Sequence, residues 1–405
     1  MEEFAFLEEN PPDEAERARL AALSGRAAAG DANAQLEMGK LFEQGEKVHP
    51  DFAKAKSWYE KAAGAGLAEA QLRLGLCFLR GRGVTADPEK AFELFLRAAE
   101  KDVPFAHTCL GICRRAGLGC EEDAAKSFES FKKGMEKGDI DAIFYLAEAF
   151  ENGIGTKKDP AEAFALYKKA AELDNPFAIK KLGDCFKYGI GAQADAEAAL
   201  ACYKQAAKRE IPAAEAMLGA AFYWGQGTGK NRREAARLFE KAAAKNEPIA
   251  QYYLGEMLLQ GEDLPEDAQK ACNLFLASAR QDYVPAQNRA GDCLANGWGT
   301  RENHVEACYW YKSAAIAGDA DAQFSLALHF LRGVGVEQDS AQARGWLEKA
   351  AAAGRPEAVF ALGRLLLENA ADEKEAAKAL RLLEEAARAG SRAAREFLAQ
   401  LAREN

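Results

Sequence analysis

The chain has 405 residues, 49% of them hydrophobic and 29% charged, and a formal net charge of −10. These figures describe an ordinary folded, water-soluble chain. They speak against a nucleic-acid partner and against an anionic membrane surface, both of which need a basic face. No stretch of the sequence approaches the ~18 uninterrupted apolar residues that a spanning helix requires.

The first residues, MEEFAFLEENPPDE, are acidic and lack the basic and apolar regions of a secretory signal, so cytoplasmic residence is the expectation. Nine cysteines cannot all pair internally, and in a reducing compartment they are expected as free thiols. Residues 1–30 form an N-terminal segment. Within it residues 13–30, entered through Pro11-Pro12, read as a lone capping helix.

From Asp31 to Gly390 the chain divides without a gap into ten segments of 36 residues, so residues are compared here by repeat position, with Asp31 at position 1. Position 4 is alanine throughout, from Ala34 to Ala358, and position 8 is Leu or Met except at Ala290. Position 12 is Phe or Leu except at Arg114. This spacing places the apolar residues along one stripe of a first helix. Position 9 is glycine in eight repeats, Gly75 and Gly183 among them, and alanine at Ala147 and Ala327. A mid-helix glycine costs ~1 kcal/mol of propensity, so close helix packing is expected to offset it.

Glycines at positions 15 and 17, as at Gly81 and Gly83, predict a left-handed stop and a turn. A second helix follows an Asp or Asp-Pro start such as Asp87-Pro88 or Asp159-Pro160. Its stripe holds alanine at position 25 (Ser127 once), an aromatic residue or Leu at 29, and mostly small residues at 32 and 33. Tyr59, Phe95 and Tyr167 illustrate position 29. Two such helices cannot bury their faces alone, and stacked neighbours complete the core. Residues 391–405 repeat the first-helix pattern once more and read as a C-terminal cap.

The pattern A-x3-LG-x5-G-x-G, then A-x3-Y/F-x2-AA and a terminal Gly, resembles the Sel-1-like repeat family, a relative of tetratricopeptide repeats, over residues 31–390. The resemblance implies an all-α fold: a right-handed α/α superhelical solenoid of ten helix-turn-helix repeats with first helices on the concave face. It implies an adaptor for macromolecular complexes, of a kind frequent in bacteria. One branch of the family is secreted, with disulfides joining position 33 of one repeat to position 5 of the next, and some of its members bind or slowly hydrolyse β-lactams. Here those positions hold Ala63 and Gln71, or Ala99 and His107, and no repeat carries the cysteine pair.

Other constellations read as structure rather than chemistry. Cys77, Cys113, Cys185 and Cys293 share position 11, beside the apolar stripe, where cysteine behaves as a small buried hydrophobe. His329 occupies the same column as a partly buried structural histidine. His107, Cys109, Cys113 and Cys120 lie close in sequence, but His107 points elsewhere on its helix than the two cysteines, so no zinc site is expected. Ser130-Phe131-Lys132-Lys133 matches S-x-x-K of serine-acylating enzymes without the accompanying SDN or KTG elements. The GxG pairs lack a following GK[ST] and are turns. Neither a cofactor, a metal nor a catalytic residue is expected.

The informative variation lies at positions 3, 6, 10, 13 and 14 of the first helix, opposite the stripe. The middle repeats place Phe144, Lys180, Ala216 and Tyr252 at position 6, and Glu148, Asp184, Glu256 and Asp292 at position 10, with Ala220 interrupting. Tyr223 takes position 13, and Tyr188 and Trp224 take position 14. One reading is a partner-binding face made of Glu148, Asp184, Tyr188, Tyr223, Trp224, Tyr252, Glu256 and Asp292, whose rings and carboxylates would take Lys or Arg side chains of a basic protein or peptide. The other reading packs the rings between adjacent helices. The resulting expectation is a monomeric interaction scaffold with a protein or peptide in its concave groove. A weak β-lactam hydrolase and a spacer with contacts only at its ends stand as alternatives.

Overall fold

The computed structural model describes residue 4 and residues 11–45, 47–261 and 263–404. The acidic first residues therefore lie largely outside the described residues. Phe4 is buried and stacks on Phe42 at 6.0 Å. Among the described residues the regular structure is helical, with Val48 forming an isolated bridge.

The chain divides into two compact units, Met1–Cys202 and Tyr203–Asn405. The first holds α1 (Glu14–Ala28), α2 (Ala32–Gln44), α3 (Phe52–Gly64), α4 (Ala68–Arg80), α5 (Pro88–Ala99), α6 (Pro104–Ala116), α7 (Ala124–Glu136), α8 (Ile140–Asn152), α9 (Pro160–Glu172) and α10 (Pro176–Tyr188). The division falls inside α11 (Ala196–Lys208). The second unit continues with α12 (Pro212–Trp224), α13 (Arg232–Ala244), α14 (Pro248–Gln260), α15 (Ala268–Ala279), α16 (Val284–Asn296), α17 (His304–Ile316), α18 (Ala320–Arg332), α19 (Ser340–Ala352), α20 (Pro356–Glu368), α21 (Glu373–Arg388) and α22 (Arg392–Glu404). Consecutive helices pack on one another from α1 to α10 in the first unit and from α12 to α22 in the second, in solenoid order. First helices carry even numbers and second helices odd ones.

Three local devices set this repeat. Second helices start on an Asp or Asn whose side chain accepts a backbone N–H of the first turn, as Asp87 does from Lys90 N at 3.1 Å. First helices stop on a left-handed glycine such as Gly81, φ 66°. Two residues on, Gly83 is again left-handed, and a Cβ there would lie 2.1 Å from the Phe52 carbonyl oxygen at the start of α3, so any side chain is excluded twice over. The tenth repeat ends its first helix on Asn369 without the left-handed turn.

The core is the column of position-29 rings. Tyr59, Tyr167, Phe95, Phe131, Phe239 and Phe275 are among the largest fully buried side chains. Tyr59, Phe95, Phe131, Phe239 and Phe275 each lie against the position-9 glycine of their own repeat. A Cβ on Gly75 would stand 2.6 Å from Phe95, and one on Gly219 would stand 2.7 Å from Phe239. The mid-helix glycines are thus the floor on which the rings rest. Position 36 is left-handed as well. Half of the repeats place glycine there, and in the other half Asp102, Asp174, Glu210, Asn246 and Asp282 adopt the same positive φ.

Candidate protein-binding face

The eight residues singled out from sequence fall in both units, and each unit is described by itself. In the first, Glu148 on α8 and Asp184 and Tyr188 on α10 line the face of the first helices. Glu148 accepts from the Arg115 guanidinium of α6 at 3.2 Å, and Arg115 also lies 5.2 Å from the Tyr145 ring. Asp184 is bonded by Lys180, one turn earlier, at 2.7 Å. Tyr188 is exposed, with Lys187 over its ring at 5.0 Å. Phe177 at position 3 of α10, not singled out from sequence, is also exposed and leans towards Phe144 at 6.3 Å. Its signal was an aromatic residue at a position facing away from the stripe.

In the second unit Trp224 closes α12 and is 52% exposed. Its ring stands edge-on to Tyr223 at 4.9 Å, and its indole N–H donates to the Tyr253 hydroxyl at 3.4 Å. Tyr223 itself is only 6% exposed. The expectation that it faces outward is corrected: position 13 points at the next repeat, where the ring meets Tyr253 at 5.7 Å while its hydroxyl accepts from Arg232 at 2.9 Å. Tyr252 is half-buried between Tyr253, Phe275 and Tyr283, and burial pushes its hydroxyl pKa up to about 12.

The carboxylates of this unit are similarly engaged. Glu256 is 8% exposed, not on an open track, because Arg289 of the next first helix grips it with two bonds of 2.7 and 2.8 Å. Arg289 reaches Asp292 as well, at 3.3 Å, and Asp292 accepts the Tyr311 hydroxyl at 2.9 Å. Burial raises the Asp292 pKa in spite of these two partners.

A rule connects these acids. A position-29 tyrosine buries its hydroxyl at the base of the first-helix face and needs an acceptor there. Tyr59 donates to Glu43 at 2.6 Å, Tyr167 to Glu151 at 2.6 Å and Tyr311 to Asp292 at 2.9 Å. A base from the following repeat then neutralises the first two, Arg73 on Glu43 at 3.1 Å and Lys181 on Glu151 at 2.9 Å. Much of the acidity on this face therefore joins neighbouring repeats, while Phe177, Tyr188 and Trp224 are its exposed rings.

The other constellations settle into the framework. Cys109 and Cys113 are buried, and burial pushes the Cys113 thiol up to about 11. Cys293 interacts with the Cys272 thiol of the preceding second helix, while Cys308 bonds to the Val334 carbonyl oxygen at 3.5 Å. Among the described residues no group of three or more His, Cys, Asp or Glu is placed to hold a metal ion. The Ser130 hydroxyl donates to the Lys126 carbonyl oxygen at 2.6 Å and accepts from Arg114 at 2.5 Å, so both its bonds lead away from Lys133. His329 shares a bond with the Val334 carbonyl oxygen at 2.8 Å, and burial lowers its pKa. No helix among the described residues is long and apolar enough to cross a membrane.

The family model of the Sel1 repeat matches residues 32–67, 68–103, 140–175, 176–210, 212–247, 248–283, 284–319, 320–354 and 356–391, passing over the stretch that holds α6 and α7. Among solved structures, the chain is similar to c5321, a protective antigen present in uropathogenic Escherichia coli strains displaying an SLR fold. The identity is 28% over 91% of this chain and 86% of that one, with a TM-score of 0.53. It is similar also to a Sel1 repeat protein from Oxalobacter formigenes, at 30% identity over 53% of this chain and 85% of that one, with a TM-score of 0.49. No curated protein matches the chain significantly.

Proposed function

Because the chain belongs to the Sel1 repeat family, a family of helical interaction scaffolds, we propose that it is a non-catalytic adaptor that binds another protein through the face of its first helices. The observation that carries this reading is Trp224, a large apolar side chain half open to solvent yet held by Tyr223 and Tyr253. Exposed rings that have already lost their rotamer freedom bind at low entropic cost. They are the residue types that dominate interface energies. Tyr188 and Phe177 offer the same chemistry on the first unit.

The partner segment is basic in this reading. The face is electron-rich through its rings, and the chain carries a net charge of −10, which favours approach of a cationic segment. Because the carboxylates at position 10 already have basic partners and Lys187 lies over the Tyr188 ring, the specific attraction falls chiefly to cation–π contact with Trp224.

The test is photocrosslinking of full-length protein carrying a benzoylphenylalanine at position 224, at position 188, or at the second-helix position 237, in its native host. A partner that crosslinks at 224 or 188 and not at 237 supports the assignment. Crosslinks confined to 237 would remove it.

A further inference from the structure

The third repeat breaks its own columns at three places that meet in space. Position 28 is Trp or Leu in eight repeats and Cys202 in another, but Ser130 here. Position 12 is Phe or Leu elsewhere, but Arg114 here. Position 5, glutamine in half the repeats, is His107. A serine where the neighbours carry Leu94 and Leu166 leaves a side chain's worth of space between α5, α6 and α7. The result is a cleft of about 390 Å³, within the ~300–1,000 Å³ of small-molecule sites. It lies beside the second helices, away from the face described above.

The floor is mixed in character. Leu96, Ala99 and Leu110 form an apolar wall. Arg114 is bonded to Ser130 at 2.5 Å, and no carboxylate pairs with it among the described residues. The His107 Nε2 is buried without a hydrogen-bond partner. Burial, reinforced by Lys133, holds the His107 pKa below its ordinary value, so the ring is neutral at pH 7 and can still offer one N–H. The guanidinium also lies over the Phe92 ring at 5.8 Å but has no counter-charge there, and a buried imidazole nitrogen without a partner is costly to maintain without a ligand.

We propose that this cleft binds a small aliphatic monocarboxylic acid, with its carboxylate on Arg114 and His107 and its hydrocarbon body against Leu96, Ala99 and Leu110. Guanidinium and carboxylate match in planar geometry. Arg114 is the cation on the floor, while the exposed Lys133 shares the rim with Lys126, Glu100 and Glu129, so the floor itself answers a single negative charge. A phosphate dianion would set its second charge against the rim residues Glu100 and Glu129. At the rim Lys126 is already engaged by Asp123 at 2.9 Å.

The experiment is a methyl-NMR titration of the full chain, following the Leu96 and Leu110 methyls, with 4-methylpentanoate, its neutral amide 4-methylpentanamide, and inorganic phosphate. The acid is expected to give saturable shifts by tens of millimolar, with the amide and phosphate at least about tenfold weaker. Arg114→Gln should weaken the acid about tenfold and leave the amide unchanged. Ser130→Leu, which restores the side chain of the neighbouring repeats, should abolish binding by filling the cleft. If Ser130→Leu does not fold, the acid-against-amide comparison on Arg114→Gln decides. Absence of saturable shifts, equal binding of acid and amide, phosphate binding as tight as the acid, or an unchanged affinity in Arg114→Gln would overturn the proposal.

Discussion

Replacement of Gly219 by alanine tests the packing rule on which the fold rests. A Cβ at this position would lie 2.7, 2.9 and 3.2 Å from three atoms of the Phe239 ring. The nearest approach falls short of ordinary ~3.5 Å carbon contact by about 0.8 Å. Phe239 is fully buried, so the ring cannot swing into solvent, and overpacking of this kind costs about 1–3 kcal/mol. Alanine regains ~1 kcal/mol of helix propensity over glycine, leaving a net loss of about 0–2 kcal/mol. The sequence holds its own precedents. Position 9 is alanine in the repeats of Tyr167 and Leu347, where Ala147 and Ala327 share a buried cluster with the position-29 side chain. The double variant Gly219→Ala/Phe239→Leu reproduces the second pairing. It should be more stable than the sum of its single effects by about 1 kcal/mol or more, within the range measured for contacting pairs. Urea unfolding of the full chain, with slopes compared because repeat arrays need not unfold in one step, measures this cycle. A coupling indistinguishable from zero, or a Gly219→Ala chain stabilised by the full helix-propensity gain, would show that the ring does not rest on the glycine.

Three further outcomes follow from particular residues. Glu210 is held at φ 58°, which costs a non-glycine residue ~1–2 kcal/mol, so Glu210→Gly should stabilise the chain by up to about 1 kcal/mol and raise its melting temperature; a lowered melting point would contradict this. Burial raises the folded pKa of Asp292. A carboxyl with a raised folded pKa costs nothing while protonated in both states, and the cost is complete once pH exceeds the folded value. Asp292→Asn should therefore gain stability relative to the parent as pH rises above the ordinary carboxyl value of about 3.9, and a trend in the opposite direction in urea midpoints would refute the assignment. Cys120 and Cys202 are half-exposed while the other cysteines are buried, and burial pushes Cys77, Cys113 and Cys308 up to about 11; a disulfide reagent at pH 8 should label the first two in the native protein and the rest on unfolding.

The period, the two helices per repeat, the glycine stops and the ring column were legible because each is fixed within one repeat by local geometry, and ten copies display it. Glu256 and Tyr223 were misjudged as open because their surroundings come from the next repeat: Arg289 closes over one, and Tyr253 over the other. Periodicity places a residue on a helix face but does not give the angle at which the following helix approaches. A signal was nonetheless present. Repeats with tyrosine at position 29, such as those of Tyr59, Tyr167 and Tyr311, carry an acid at position 10 or 13, and that pairing marks a hydroxyl acceptor rather than an open charge. The departures of the third repeat at His107, Arg114 and Ser130 were visible one by one. Only the packing of α5, α6 and α7 brings them to one cleft.

The central claim, that protein recognition runs through the first-helix face, is tested most directly by the affinity of the crosslinked partner for Trp224→Ala. The indole is half exposed and its neighbours pack without it, so helical content and melting should stay at parental values. A ring acting as an interface anchor contributes about 2 kcal/mol or more, which is a roughly thirtyfold loss of affinity. That loss, in a chain with unchanged melting, is the predicted result. An unchanged dissociation constant in the folded variant would contradict the account.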